Sequence, residues 1–305
     1  MKLTAAQLDR AEGVLLGTAV GDALGAGYEF TYPTTSAAID MIGGGVFNWA
    51  PGEWTDDTSM AVAVAEGAAS GGRLDREPGL DAVAAGFVQW WDSHPTDIGN
   101  QTRMVLRERS ASAREMRAVA GAIPGLRAGN GSLMRTAPVA LAHLDDAGAC
   151  AVAAREVSRL THDDPHAIDG CVLWSLAIRT AVLDGTYHGI RQGLAYVSNE
   201  WHVRLSEAEN GLPSDFSKNG WVVHALQTAW SAIVHTDSLP DGLTTAVRAG
   251  GDTDTTAAIA GGLLGARYGA SAIPMRWREI VHGYPGCRED YLIGLTHRVL
   301  ATNSR

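Results

Sequence analysis

An all-α fold is expected from three observations. Apolar residues recur at helical spacing through most of the chain, no run alternates convincingly as a strand, and Gly-rich or polar loops separate the helical stretches. In the first helix Leu8, Ala11, Leu15 and Ala19 share one face, and Gly13, Gly17, Gly21 and Gly25 recur every fourth residue beside it. In a membrane such a stripe would suggest helix dimerisation. In a soluble chain it lets another backbone approach closely, because no side chain stands between. Further helical stretches are expected at about 58–70, 80–93, 102–119, 132–143, 147–160 and 165–183. Later ones are expected at about 190–205, 221–234, 243–248, 255–268 and 290–301. Loops fall at residues 43–45, 71–72, 121–131 and 210–219.

The chain has 305 residues, with 46% hydrophobic and 19% charged, which describes a globular protein with a substantial core. No long linker, charge run or fixed-period repeat divides it, and one domain over residues 1–305 is the simpler reading. A net charge of −10 argues against general affinity for nucleic-acid backbones or anionic membranes. It does not exclude small anionic ligands, since bound cations reverse the sign locally. Cys150, Cys171 and Cys287 are far apart and form no CxxC, which fits a reducing compartment and excludes a thiolate zinc site. Residues 13–21 resemble a short signal core, but Asp9 and Glu12 precede them and no basic stretch does, so no export signal is read. No uninterrupted apolar run is long enough for a bilayer, and the expected location is cytoplasmic.

Two acidic clusters carry the chemistry. Thr55-Asp56-Asp57-Thr58 and Asp252-Thr253-Asp254-Thr255-Thr256 each enter an Ala-rich helical stretch. One cluster alone is explained as well by helix capping as by metal binding, since Thr and Asp are good N-caps and acids suit the first turn. The pattern occurs twice, which favours metal. Oxygen-only donors in that number suit two hard divalent cations, Mg2+ or Mn2+. Glu29, between Tyr28 and Phe30, is either a solvated loop acid or an acid/base group near such a centre. The turns 97–102 and 129–132 suit phosphate or simple connection, and neither matches a P-loop or dinucleotide fingerprint. His162 and His166 have zinc-like spacing without the Glu of HExxH; His162 is read as a hydrogen-bonding site residue and His166 as structural. No GxSxG elbow occurs.

In these residues the chain resembles the ADP-ribosylglycohydrolase family, also called ADP-ribosyl-acceptor hydrolases. Residues 17–30 are similar to its GDALG…E segment, 54–60 to W-T-D-D-T-x-M, and 250–265 to GGDxDT…AGxxxG. Residues 97–102, 129–135 and 161–162 resemble its substrate loops, and 220–230 its G-W-V-V…A-x-W helix. The resemblance implies a compact orthogonal helical bundle holding two Mg2+ or Mn2+ ions on Thr55, Asp56, Asp57, Asp252, Asp254 and Thr255. It implies Glu29 and Asp56 as catalytic carboxylates, with Gly99, Asn130, Gly131, Ser132 and His162 against ADP-ribose. The implied reaction cleaves the bond at C1 of the distal ribose, with arginine on protein as the expected acceptor. Serine-linked, nucleic-acid-linked and small-molecule substrates stay open. Arg127-Ala128 stands where relatives carry an adenine-stacking aromatic, and His224-Ala225 where they carry acids or hydroxyls. Two rivals remain: a phosphatase, from the Asp252-x-Asp254-x-Thr256 pattern, and a non-catalytic ADP-ribose binder.

Overall fold

The glycine stripe of the N-terminal helix, Ala5–Ala26, lies directly against the helix Thr253–Tyr268. A Cβ added at Gly13, Gly17 or Gly21 would sit 2.3, 2.3 or 2.1 Å from the carbonyl oxygens of Gly265, Gly261 and Ala257. Gly261 and Gly265 reciprocate, their added Cβ atoms falling 2.0 and 1.8 Å from the Gly17 and Gly13 oxygens. Two helices from opposite ends of the chain thus touch through bare backbone, the close approach that the four-residue spacing predicts. Thr253 Oγ1 donates to Gly25 O at 2.9 Å and closes the end of this contact nearest the acidic clusters.

The computed structural model describes residues 2–34, 36–125 and 127–302. Among these, fifteen α-helices make an all-α fold, and one antiparallel pair, His282–Gly283 with Cys287–Arg288, is the whole sheet. The helix Pro165–Asp184 runs through the core, where Trp174 Nε1 donates to Ile259 O at 2.9 Å. By length and composition this helix is apolar enough to cross a bilayer, a span the sequence reading does not single out; most of it is buried among other helices.

Several expected elements divide. The stretch 102–119 is two helices, Asn100–Leu106 and Ala113–Ala122, because Ser112 caps the second by accepting from Glu115 N at 3.3 Å. The stretch 132–143 is a 3-10 turn, Asn130–Ser132, then a short helix, Ala137–Leu141, with Pro138 in its first turn. The stretch 190–205 breaks into His188–Gln192, a 3-10 turn at Gly193–Tyr196, and Glu200–Asn210. Helix periodicity runs across each break, so the pattern alone does not mark it.

Candidate active site

Three loop-to-helix junctions meet at a cleft of about 560 Å3. The first precedes the helix Asp56–Gly71, whose N-cap Thr55 makes no cap hydrogen bond with its own side chain. The cap comes from the N-terminal helix: Asp22 Oδ1 accepts from Thr55 N at 2.9 Å, and Asp22 Oδ2 from Thr58 N at 2.9 Å and Thr58 Oγ1 at 2.6 Å. The second junction precedes Thr253–Tyr268. Gly250 and Gly251 have φ of +78° and +72°, a left-handed pair that turns the chain into Asp252. Phe30 N donates to Gly251 O at 2.7 Å and Gly251 N to Thr31 O at 3.0 Å, holding Glu29 beside this turn. The third is the 3-10 turn at Asn130, where Asn130 Nδ2 donates to Asn219 O at 2.9 Å and to Asp252 Oδ2 at 2.7 Å.

The carboxylates gather in two overlapping triads. Asp22, Asp57 and Asp254 each bring one oxygen within 4.8 Å of the others, and so do Glu29, Asp252 and Asp254. Asp254 belongs to both. Burial, reinforced by the neighbouring carboxylates, pushes the Glu29 and Asp56 carboxyls up to about 8 and holds Asp57 and Asp254 well above the usual range. Burial raises Asp22 to about 6, the donors at Thr55 and Thr58 pulling the other way. Two buried oxygens, Glu29 Oε2 and Asp57 Oδ1, have no hydrogen-bond partner among the described residues. Buried carboxylates this close, with orphaned oxygens, fit hard divalent cations, whose charge offsets both repulsion and desolvation. Thr55 and Thr255 stand in the same two turns: Thr55 Oγ1 donates to Asp57 Oδ2 at 2.9 Å, and Thr255 N to Asp254 Oδ1 at 2.9 Å.

Asn130, Gly131, Gly99 and His162 line the same cleft as Glu29, Asp56, Asp252 and Asp254. Burial and the Arg135 charge push His162 down to about 3, so it is a neutral hydrogen-bonding ring. The Ser132 side chain turns behind this wall, with Ser158 Oγ at 3.0 Å and Cys171 Sγ at 3.4 Å. His166 Nε2 meets Glu200 at 2.9 Å. Arg127 donates back to Gly121 O, in the last turn of the helix Ala113–Ala122, at 2.9 Å, and His224 Nδ1 accepts from Lys218 N at 3.2 Å.

Two carboxylates in the cluster, Asp22 in the GDALG segment and Asp97 at the 97–102 turn, were not singled out from the sequence as site residues. Asp22 is fully buried, and Asp is almost never so unless paired, here with Thr55 and Thr58. Asp97 lines the cleft with Glu29 and Asp56 and raises the pKa of both. A lone Asp at a turn looks ordinary in sequence, and only the fold aims it inward.

Comparison with known proteins shows the family. A family model described as ADP-ribosylglycohydrolase matches residues 3–304, and the chain belongs to that family. It is similar to the ADP-ribosylarginine hydrolase Tri1 of Pseudomonas putida, 33% identical over 90% of this chain and 74% of the relative. It is 32% identical to the ADP-ribosyl-dinitrogen reductase glycohydrolase of Rhodospirillum rubrum, over 88% of this chain and 89% of that one. A solved ADP-ribosylglycohydrolase-related protein complex superposes with a TM-score of 0.80 at 28% identity, covering 98% of this chain and all of the other.

Proposed function

We propose that the protein is a metal-dependent hydrolase that removes ADP-ribose from modified acceptors, with arginine on protein preferred. The observation that carries this is the pair of carboxylate triads sharing Asp254 at a cleft that Asn130 and His162 also line. Asp56, Asp57, Asp252, Asp254, Thr55 and Thr255, joined by Asp22, would hold two cations, Mg2+ or Mn2+. When bound, such ions orient the distal ribose and stabilise oxocarbenium-like charge at C1. The chain's own residues do the rest. Asn130 and His162 hold ADP-ribose against the wall, and Glu29 moves a proton between the attacking water and the leaving group. Asp56, which lines the same cleft, orients that water. Relatives named for arginine support arginine as acceptor, and the acidic cleft suits a cationic leaving group.

Glu29→Gln should keep the melting temperature and ADP-ribose binding while slowing hydrolysis about a hundred- to ten-thousandfold. Wild-type turnover in this variant would remove Glu29 from proton transfer. For the acceptor, free ADP-ribose should appear from ADP-ribosyl-arginine and not from a serine-linked peptide, in the presence of either metal. The reverse selectivity would defeat the arginine preference and leave the reaction class standing.

A further inference from the structure

Arg135 is fully buried behind the wall that carries Asn130 and His162. Its Nη2 donates to Thr161 Oγ1 at 2.7 Å and to Val157 O at 3.4 Å, and its Cζ lies 4.4 Å from the Phe87 ring centroid. These partners are neutral, an uncommon setting for a buried guanidinium. Thr161 Oγ1 in turn lies 2.7 Å from His162 Nδ1. A guanidinium only donates, so the Thr161 oxygen must accept from Arg135. The single hydroxyl hydrogen of Thr161 is then left to donate to Nδ1. Were Nδ1 protonated instead, that hydrogen would have no acceptor among the described contacts, at a residue with no solvent exposure. We infer that Arg135 and Thr161 form a positioning relay that fixes His162 as its Nε2–H tautomer and presents that N–H to the cleft as a hydrogen-bond donor.

The opposite edge of the ring supports this. A Cβ at Gly129 would stand 3.2 Å from His162 Nε2, and one at Gly131 would stand 3.0 Å from Cε1 and 3.2 Å from Nε2. Glycine at both positions leaves the Nε2 edge open toward the cleft. The Arg135 guanidinium thus reaches the ligand wall through Thr161 and the ring. The ligand atom facing Nε2 must be an acceptor, an oxygen of a phosphate or a ribose. That last step rests on the ADP-ribose reading of the cleft, and the tautomer does not.

The test compares Thr161→Val, which removes the hydroxyl at nearly constant volume, with Thr161→Ser, which keeps it. In protein labelled with 15N-histidine at neutral pH, ring couplings report the tautomer, and the His162 signals are assigned by their loss in His162→Asn. Expected are Nε2–H in the wild type and in Thr161→Ser, with ADP-ribose affinity unchanged between them. Thr161→Val should lose the pure Nε2–H pattern and bind ADP-ribose about three- to tenfold more weakly, the worth of one hydrogen bond. An Nδ1–H ring in the wild type would overturn the relay, even if Thr161→Val fails to fold. So would a Thr161→Val protein with unchanged tautomer and affinity, or a Thr161→Ser protein that behaves as Thr161→Val does. A wild-type protein that binds no ADP-ribose would defeat the hydrolase reading, and the tautomer alone would then decide the relay.

Discussion

Asp254→Ala is expected to release both cations and to lower ADP-ribosyl hydrolysis by about three orders of magnitude or more, because one side chain serves both triads. Asp57 and Asp252 each belong to a single triad, so the loss of either should leave one ion bound more tightly than the other. Metal content after gel filtration, measured alongside turnover, separates these cases. Two ions retained in Asp254→Ala would sink the shared-ligand assignment.

The same substitution should act oppositely on the metal-free fold. Without a cation, Asp254 is a buried acid among buried acids, and its removal relieves both repulsion and desolvation. Metal-free Asp254→Ala should therefore melt above the metal-free wild type, while added Mg2+ or Mn2+ stabilises only the wild type. The pH dependence has a definite sign. Glu29 and Asp56 are raised from the ordinary carboxylate range to about 8 in the fold, and Asp22 to about 6. The native state then binds more protons than the unfolded chain, so metal-free stability is fullest below about pH 4 for these groups and declines as pH rises toward 8. Saturating metal should reverse that decline, since cations bind the ionised form. A metal-free melting temperature that climbs steadily over this window would show the cluster is not held protonated.

Much of this site was legible in the chain because acids at helix starts are written locally. Asp56-Asp57 and Asp252-x-Asp254 sit in single junctions, and their doubling pointed to cations before any geometry. Asn130 and His162 likewise fell at turns, and the fold brings both to one wall. Asp22 and Asp97 were not legible as members because their roles are tertiary. Asp22 caps a helix that starts more than thirty residues later, with Thr55 and Thr58 as its donors. Ser132 shows the converse: its motif position is adjacent to the site, yet its hydroxyl faces Ser158. For the fold, helix existence was readable from periodicity, while helix ends turned on single residues. Ser112 with Glu115 three residues on was a visible start signal inside a stretch whose periodicity ran on.

Gly17→Ala is expected to destabilise the protein by about 3 kcal/mol, a loss of roughly 5 °C in melting temperature for a chain of 305 residues. Helix propensity alone predicts the opposite, since Ala is better than Gly by about 1 kcal/mol in a helix interior. Packing decides the sign. The new Cβ would meet Gly261 O at 2.3 Å, Gly261 C at 3.1 Å and Gly265 Cα at 3.2 Å, all backbone and none a side chain that could swing aside. Relief requires the two helices to separate, and they carry the site: Asp22 lies on one and Asp254 on the other. Gly17→Ala should therefore weaken cation binding as well, although no ligand is touched. Gly294 provides the contrast, in the helix Glu289–Thr302, where an added Cβ would meet only Arg298 Nη1 at 3.8 Å. Gly294→Ala should follow propensity and stabilise by about 0.5–1 kcal/mol, with metal affinity unchanged. Calorimetry with and without Mg2+ on both variants tests the pair. If Gly17→Ala melted at or above the wild type, the backbone-to-backbone seam between the chain's two ends would not be what sets the spacing of the carboxylates.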